Sequence, residues 1–185
     1  MNASKIGVVA LQGAFREHIE SLEALGASCV EVRRPEHLSC VDALVLPGGE
    51  STAITKLLVS SGLLDAVREM VTEGMPVLGT CAGMIVAATE VLDGIEGMPC
   101  LGAIDIAVRR NAYGRQVESF EAPLKIQGLV GGPFPGVFIR APVIERVGAG
   151  VEVLASFEER PVLARQGRVA VSTFHPELSG DLRLH

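Results

Sequence analysis

Apolar positions along this chain fall into two alternating patterns. Residues 6–11 are a continuous apolar run, the mark of a strand buried on both faces, and residues 41–46 and 76–78 predict two further short strands. Phe15, Ile19, Leu22 and Leu25 recur instead at helical spacing, and Gly26 stops that stretch. Residues 28–32 predict a further strand, and residues 53–59 and 63–71 predict two more helices. The run at 76–78 passes through a glycine-rich turn into a helix expected to last to Leu92. Strand and helix alternating in this way imply a parallel sheet covered on both faces.

The pattern changes after Gly94. Residues 104–108, 119–122, 124–126, 137–139, 151–156, 162–165 and 169–173 are short strand candidates separated by Gly, Pro and charge. This half is expected to be β-rich and antiparallel, extending the first sheet or laid against it. There is no linker and no internal repeat, so the chain is read as a single domain over residues 1–185. The predicted class is α/β, with a mostly parallel central sheet, helices on both faces and a β-rich second half.

Composition narrows the function classes. Hydrophobic residues make up 48% and charged residues 21%, an ordinary soluble globular balance. The net charge of −6 and the lack of a basic stripe argue against nucleic-acid binding. No apolar run approaches the length of a membrane span. The first residues pass straight into a strand pattern, so no signal peptide is expected. Cys29, Cys40, Cys81 and Cys100 show neither a CxxC pair nor metal-ligand spacing, which points to a reduced, cytoplasmic setting and no metal.

Chemistry is concentrated at three places. The first is Gly79-Thr80-Cys81-Ala82-Gly83, a small-x-Cys-x-small turn between a strand and a helix. This is the cysteine form of a nucleophile elbow, in which small flanking residues let a sharp turn expose one reactive atom. A thiol at a helix N-terminus is biased toward thiolate, the nucleophilic form. Taken alone, Cys81 is equally well a small core residue. The second is His175-Pro176-Glu177 after the last strand candidate. In extended backbone, residues two apart point the same way, so His175 and Glu177 could be a base and the carboxylate that orients it. Such a tripeptide is also a common surface turn. His18 is the rival base and reads as a helix-face residue; His37 falls in an exposed-looking loop and His185 is the last residue. The third is Pro47-Gly48-Gly49-Glu50-Ser51 after a strand, where a backbone N–H could face an oxyanion, with the Ala82 N–H as the second donor. Because glycine takes φ of either sign, the Gly48–Gly49 peptide could turn toward or away from the site. Strand ends in parallel sheets gather ligand sites, so this loop and the Cys81 turn should be neighbours.

Together these motifs resemble the class I, or triad, glutamine amidotransferases. Leu11-Gln12-Gly13, Arg16-Glu17-His18, the Pro47–Thr52 loop, Cys81-Ala82-Gly83-Met84, residues 110–116, Ser119-Phe120-Glu121 and residues 137–142 are similar, more narrowly, to the glutaminase-subunit family of pyridoxal 5′-phosphate synthase. The similarity spans residues 11–177. It implies hydrolysis of L-glutamine to glutamate and ammonia, with Cys81 as nucleophile, His175 as general base and acid, and Glu177 as orienter. It further implies glutamine binding by Gly49, Glu50, Ser51, Arg110, Ile139 and Arg140, and an oxyanion hole at Gly49 and Ala82. We pair Arg110 with the α-carboxylate of glutamine and Glu50 with its ammonium. The resemblance also implies no cofactor and a synthase subunit as ammonia acceptor, within a large hetero-oligomer. A glutaminase serving another synthase, such as imidazole glycerol phosphate synthase, and a catalytically silent scaffold are the alternatives. Family members usually run on past the His-Pro-Glu block into a closing C-terminal helix, whereas this sequence stops at Leu182-Arg183-Leu184-His185. That difference bears on stability and partner docking rather than on the triad.

Overall fold

A computed structural model describes residues 4–110 and 119–185. The first half runs β1 (Lys5–Val9), α1 (Phe15–Ala24), β2 (Ser28–Val32), β3 (Ala43–Leu46), α2 (Ser51–Ser60), α3 (Leu63–Thr72), β4 (Val77–Thr80) and α4 (Ala82–Ala87). A short 3-10 turn, Pro35–Cys40, precedes β3 and was not expected from the pattern. The second half runs β5 (Ala88–Val91), β6 (Ile104–Arg109), β7 (Ser119–Leu124), β8 (Phe134–Ile139), β9 (Val143–Val147), β10 (Glu152–Phe157), β11 (Arg160–Gln166) and β12 (Val169–Ser172).

Seven strands form the main sheet in the order β10-β11-β12-β4-β3-β1-β2. The five strands from β12 to β2 are parallel, and β10 and β11 continue the sheet antiparallel. Successive residues on the inner strands serve opposite faces, as the two-residue period of a strand requires. Val8 and Val45 pack with Leu22 of α1 on one side, whereas Val9, Leu44 and Leu46 join Ile54, Leu58, Leu63, Val67 and Met84 on the other. Helices therefore cover both faces, as expected. Two smaller sheets, β5-β6-β9 and β7-β8, complete the β-rich half.

Three differences from the sequence expectation have physical reasons. The helix after Cys81 lasts only six residues, and Ala88–Val91 is a strand paired with β6. The apolar stretch fits either structure locally, and partners outside it decide. Strand β9 was not foreseen. Its outer residues Glu145 and Arg146 break the apolar signal, but β6 pairs with it along its length. Residues 119–126, read as two strands broken at Pro123, instead give one strand, Ser119–Leu124, that runs through that proline. Proline has no N–H to give, and β7 is an edge strand of a two-stranded sheet, where none is needed.

A second core of Phe134, Phe138 and Phe174 lies beneath β7, β8, β10 and β11. All three rings are fully buried, with Phe138 and Phe174 centroids 5.6 Å apart. Each such burial contributes roughly 1.5–3 kcal/mol. Phe174 precedes His175, so this cluster fixes where β12 delivers the imidazole. Among the described residues, no helix is long and apolar enough to cross a membrane.

Candidate active site

The parallel register of β4 and β12 assembles the site. Ser172 of β12 is aligned with Thr80 of β4, and the Cys81 N–H donates to the Ser172 carbonyl at 2.8 Å. Cys81 and His175 thus leave adjacent strands at the same sheet edge. Leu46 of β3, aligned with Gly79, brings the Pro47–Glu50 loop to that edge from the other side.

Cys81 has φ 49° and ψ −105°, a conformation L-residues rarely adopt. Backbone strain of this kind costs about 1–3 kcal/mol and gathers at functional sites. Close packing of α4 over β3 holds it in place. A Cβ at Gly83 would lie 1.9 Å from the Leu46 carbonyl oxygen, so only glycine permits that approach. The residue is 7% exposed, while Cys40 is open to solvent and Cys29 and Cys100 are half-buried.

His175 is equally enclosed. Its backbone N–H donates to the Val137 carbonyl at 2.8 Å, and its Nδ1–H donates to Glu177 Oε1 at 2.7 Å. Extended backbone was expected to place these two side chains together. Instead Pro176–Leu178 forms a 3-10 turn with His175 at its N-cap, and the turn folds Glu177 back under the ring. Burial opposes charge on the imidazole. Hydrogen bonds to Cys81 and Glu177, and the charge they carry, outweigh it and raise the His175 pKa to about 10. Burial likewise disfavours the Glu177 carboxylate, but the His175 hydrogen bond holds its pKa below the ordinary value.

A cleft of about 360 Å³ opens over Cys81 and His175. It is lined by every other residue named from the sequence: Gly49, Glu50, Ser51, Ala82, Arg110, Ile139 and Arg140. Glu177 lies behind His175. Arg110 is fastened from two sides, with Nη1 on Thr52 Oγ1 at 3.0 Å and Nη2 on the Asp93 carbonyl at 2.7 Å. Its Nε has no hydrogen-bond acceptor among the described residues, and forms an ion pair with Asp93 Oδ1 at 3.8 Å. Arg140 follows β8 with φ 42°, a second strained corner at the cleft rim. The block at residues 111–116 lies outside the described residues.

Glu50 has a use the sequence reading missed. Its carboxylate caps α2, accepting from the N–H groups of Thr52 at 2.9 Å and Ala53 at 2.7 Å. Burial pushes its pKa up, but these two donors, the Thr52 hydroxyl and the nearby Arg110 charge together outweigh it and leave the pKa lowered. An acidic residue at a helix N-cap was the signal available for this.

Neither Gly48 nor Gly49 has positive φ. Space is what demands glycine at 48, because a Cβ there would lie 2.5 Å from His175 Cε1. The peptide is fastened as well: the Gly48 carbonyl accepts from the Ala14 N–H at 2.9 Å, and Gln12 Oε1 accepts from the Glu50 N–H at 2.7 Å. Gln12 lines the cleft too and was not named as a site residue. Nor was His18, which is fully buried on α1 and faces Glu177 rather than solvent.

The geometry can be set beside known proteins. The sequence profile described as the SNO glutamine amidotransferase family matches residues 8–185. The chain is 54% identical over 185 residues to the pyridoxal 5′-phosphate synthase subunit PdxT of Parafrankia sp., spanning 100% of this chain and 91% of that one. It is 56% identical over 182 residues to the protein of the same name from Dehalococcoides mccartyi, spanning 98% and 93%. A solved structure described as a glutamine amidotransferase superposes with a TM-score of 0.92 at 55% identity, covering 97% of this chain and 94% of that one. A putative GMP synthase subunit from Thermoplasma acidophilum shares the fold at 17% identity, with a TM-score of 0.69 over 96% and 86% of the two chains. With one family profile running from Val8 to the last residue, and relatives above half identity along the whole length, the chain belongs to the SNO glutamine amidotransferase family.

Proposed function

We propose that this chain hydrolyses L-glutamine to L-glutamate and ammonia and hands the ammonia to a synthase subunit that builds pyridoxal 5′-phosphate. The observation that carries the reading is the alignment of a strained Cys81 with a His175–Glu177 pair at the floor of one cleft. The thiolate is the nucleophilic form of cysteine. Cys81 Sγ attacks the carboxamide carbon, and the oxyanion is met by backbone N–H groups of Gly49 and Ala82. His175, whose surroundings favour the cation, gives a proton to the leaving nitrogen. The neutral imidazole then takes a proton from water, which attacks the γ-glutamyl thioester and frees glutamate and Cys81. Glu177 keeps the imidazole in the tautomer and rotation this requires.

Glutamine presents an α-carboxylate and an α-ammonium, so its site needs both signs of charge. Arg110, which lines the cleft, serves the carboxylate. Glu50 keeps free lone pairs after capping α2 and serves the ammonium, with Ser51, Ile139 and Arg140 completing the wall. The chain acts as one glutaminase domain in the cytoplasm and within a hetero-oligomer. The names of its relatives support a pyridoxal 5′-phosphate synthase as acceptor over another synthase.

The test is glutamine hydrolysis by the purified chain with and without that synthase subunit. Release of glutamate that depends on Cys81 is expected, rising when the subunit is added. Turnover unchanged by Cys81→Ala would overturn the reading.

A further inference from the structure

The mechanism above leaves one buried titratable group unused. His18 projects from α1 to the back of the triad and has no exposed surface. Its Nε2 lies 3.3 Å from Glu177 Oε2 and 3.1 Å from Thr80 Oγ1. Its Nδ1 lies 2.9 Å from His185 Nε2. Glu177 Oε2 makes no hydrogen bond to any described residue although its side chain is wholly buried, and the His18 imidazole faces it at 3.3 Å.

These contacts decide the tautomers. A carboxylate oxygen only accepts, so the His18 nitrogen facing Glu177 carries the proton. His18 is neutral at physiological pH: burial, reinforced by the neighbouring His185 and His175, outweighs the attraction of Glu177 and lowers its pKa to about 4. Its Nδ1 is then a bare acceptor, and His185 Nε2–H is the donor. His175 thus holds one oxygen of the Glu177 carboxylate at 2.7 Å, and the protonated nitrogen of His18 faces the other at 3.3 Å.

We propose that His18 is a positioning residue for the triad: its Nε2–H donates to Glu177 Oε2 and holds that carboxylate in the rotation that serves His175. The physical need is plain. A buried carboxylate with one unmet oxygen is costly and free to rotate or to take up a proton. Either event removes the acceptor from His175 Nδ1. A neutral donor meets the need without adding a second cation beside His175. Thr80, immediately before the nucleophile, shares the same N–H, so His18 also ties the end of β4 to the orienting carboxylate.

This inference rests on the glutaminase reading, and its test separates the two. Turnover is measured in the presence of the synthase subunit and expressed per active site, counted by labelling Cys81 with a glutamine-like electrophile, so that misfolded protein is not scored. His18→Leu is expected to lower kcat about tenfold, the lower end of what losing a hydrogen bond to a charged group costs, with KM for glutamine unchanged. His18→Gln places an amide N–H near the Nε2 position and is expected to recover most of that loss. In a Glu177→Gln background, His18→Leu should lower kcat little further, because the group it positions is already gone. Should His18→Leu fail to fold, His18→Asn replaces it, since its shorter amide cannot reach Glu177. A wild-type kcat in the variant lacking the donor overturns the proposal. So does the same fold-loss with and without Glu177, or a loss that His18→Gln does not relieve. Wild-type protein that neither hydrolyses glutamine nor labels at Cys81 would instead refute the glutaminase reading.

Discussion

Gly48→Ala probes the site through space alone. A Cβ at this position would stand 2.5 Å from His175 Cε1, 3.0 Å from His175 Nδ1 and 3.4 Å from Cys81 Cβ. Carbon atoms rest at about 3.5–4.0 Å, so the ring and the loop must part by about 1 Å. The loop is the stiffer partner, being fastened through the Ala14 N–H and Gln12. The imidazole therefore moves, away from Cys81 and off its 2.7 Å bond to Glu177. Misplacement of a reacting group by 1 Å costs on the order of 10²-fold in rate. Overpacking of this kind destabilises by about 1–3 kcal/mol, which a domain stable by about 5–15 kcal/mol survives. Gly48 does not line the cleft, so KM for glutamine should hold while kcat falls about 100-fold. Steady-state glutaminase assays with the synthase subunit present, alongside a thermal melt, give both numbers. A folded variant with the kcat of wild type would refute the claim that this glycine is required by the imidazole behind it.

Three further predictions follow from the site. A glutamine-shaped electrophile should label Cys81 ahead of the exposed Cys40, whereas a small alkylating reagent should favour Cys40; mass spectrometry of the labelled protein distinguishes the two, and equal labelling by the glutamine mimic would refute the nucleophile. Arg110→Ala should raise KM for glutamine about tenfold or more through loss of a charge-assisted contact; an unaltered KM would return Arg110 to a purely structural link between Thr52 and Asp93. Stability should fall on both sides of neutrality. His175 is raised to about 10, so its contribution is complete below the free-histidine value and lost as pH climbs toward 10. His18 is lowered to about 4, so the unfolded chain binds a proton that the folded chain refuses, and stability drops as pH falls toward 4. Urea unfolding across that range reads both limbs, and His18→Gln should flatten the acid one.

Much of this protein is legible in its sequence because the signals are local. Continuous apolar runs mark the inner parallel strands, since both faces of those strands are covered. Helical spacing marks α1 and α3, and the small residues around Cys81 announce a turn too tight for side chains. His175 and Glu177 are two residues apart, so their pairing needs no long-range contact, even though a 3-10 turn rather than a strand brings them together. What the sequence could not decide depends on partners far away in the chain. Ala88–Val91 is a strand because β6 lies beside it. Glycine is required at 48 because β12 delivers an imidazole there. His18 reads as one polar position on an amphipathic helix, and only the packing of α1 over β1 and β2 and against the Pro176–Leu178 turn brings it to face the buried Glu177 carboxylate. Spacing along one element fixes which way a side chain faces; what it meets there is set by the packing of the elements around it.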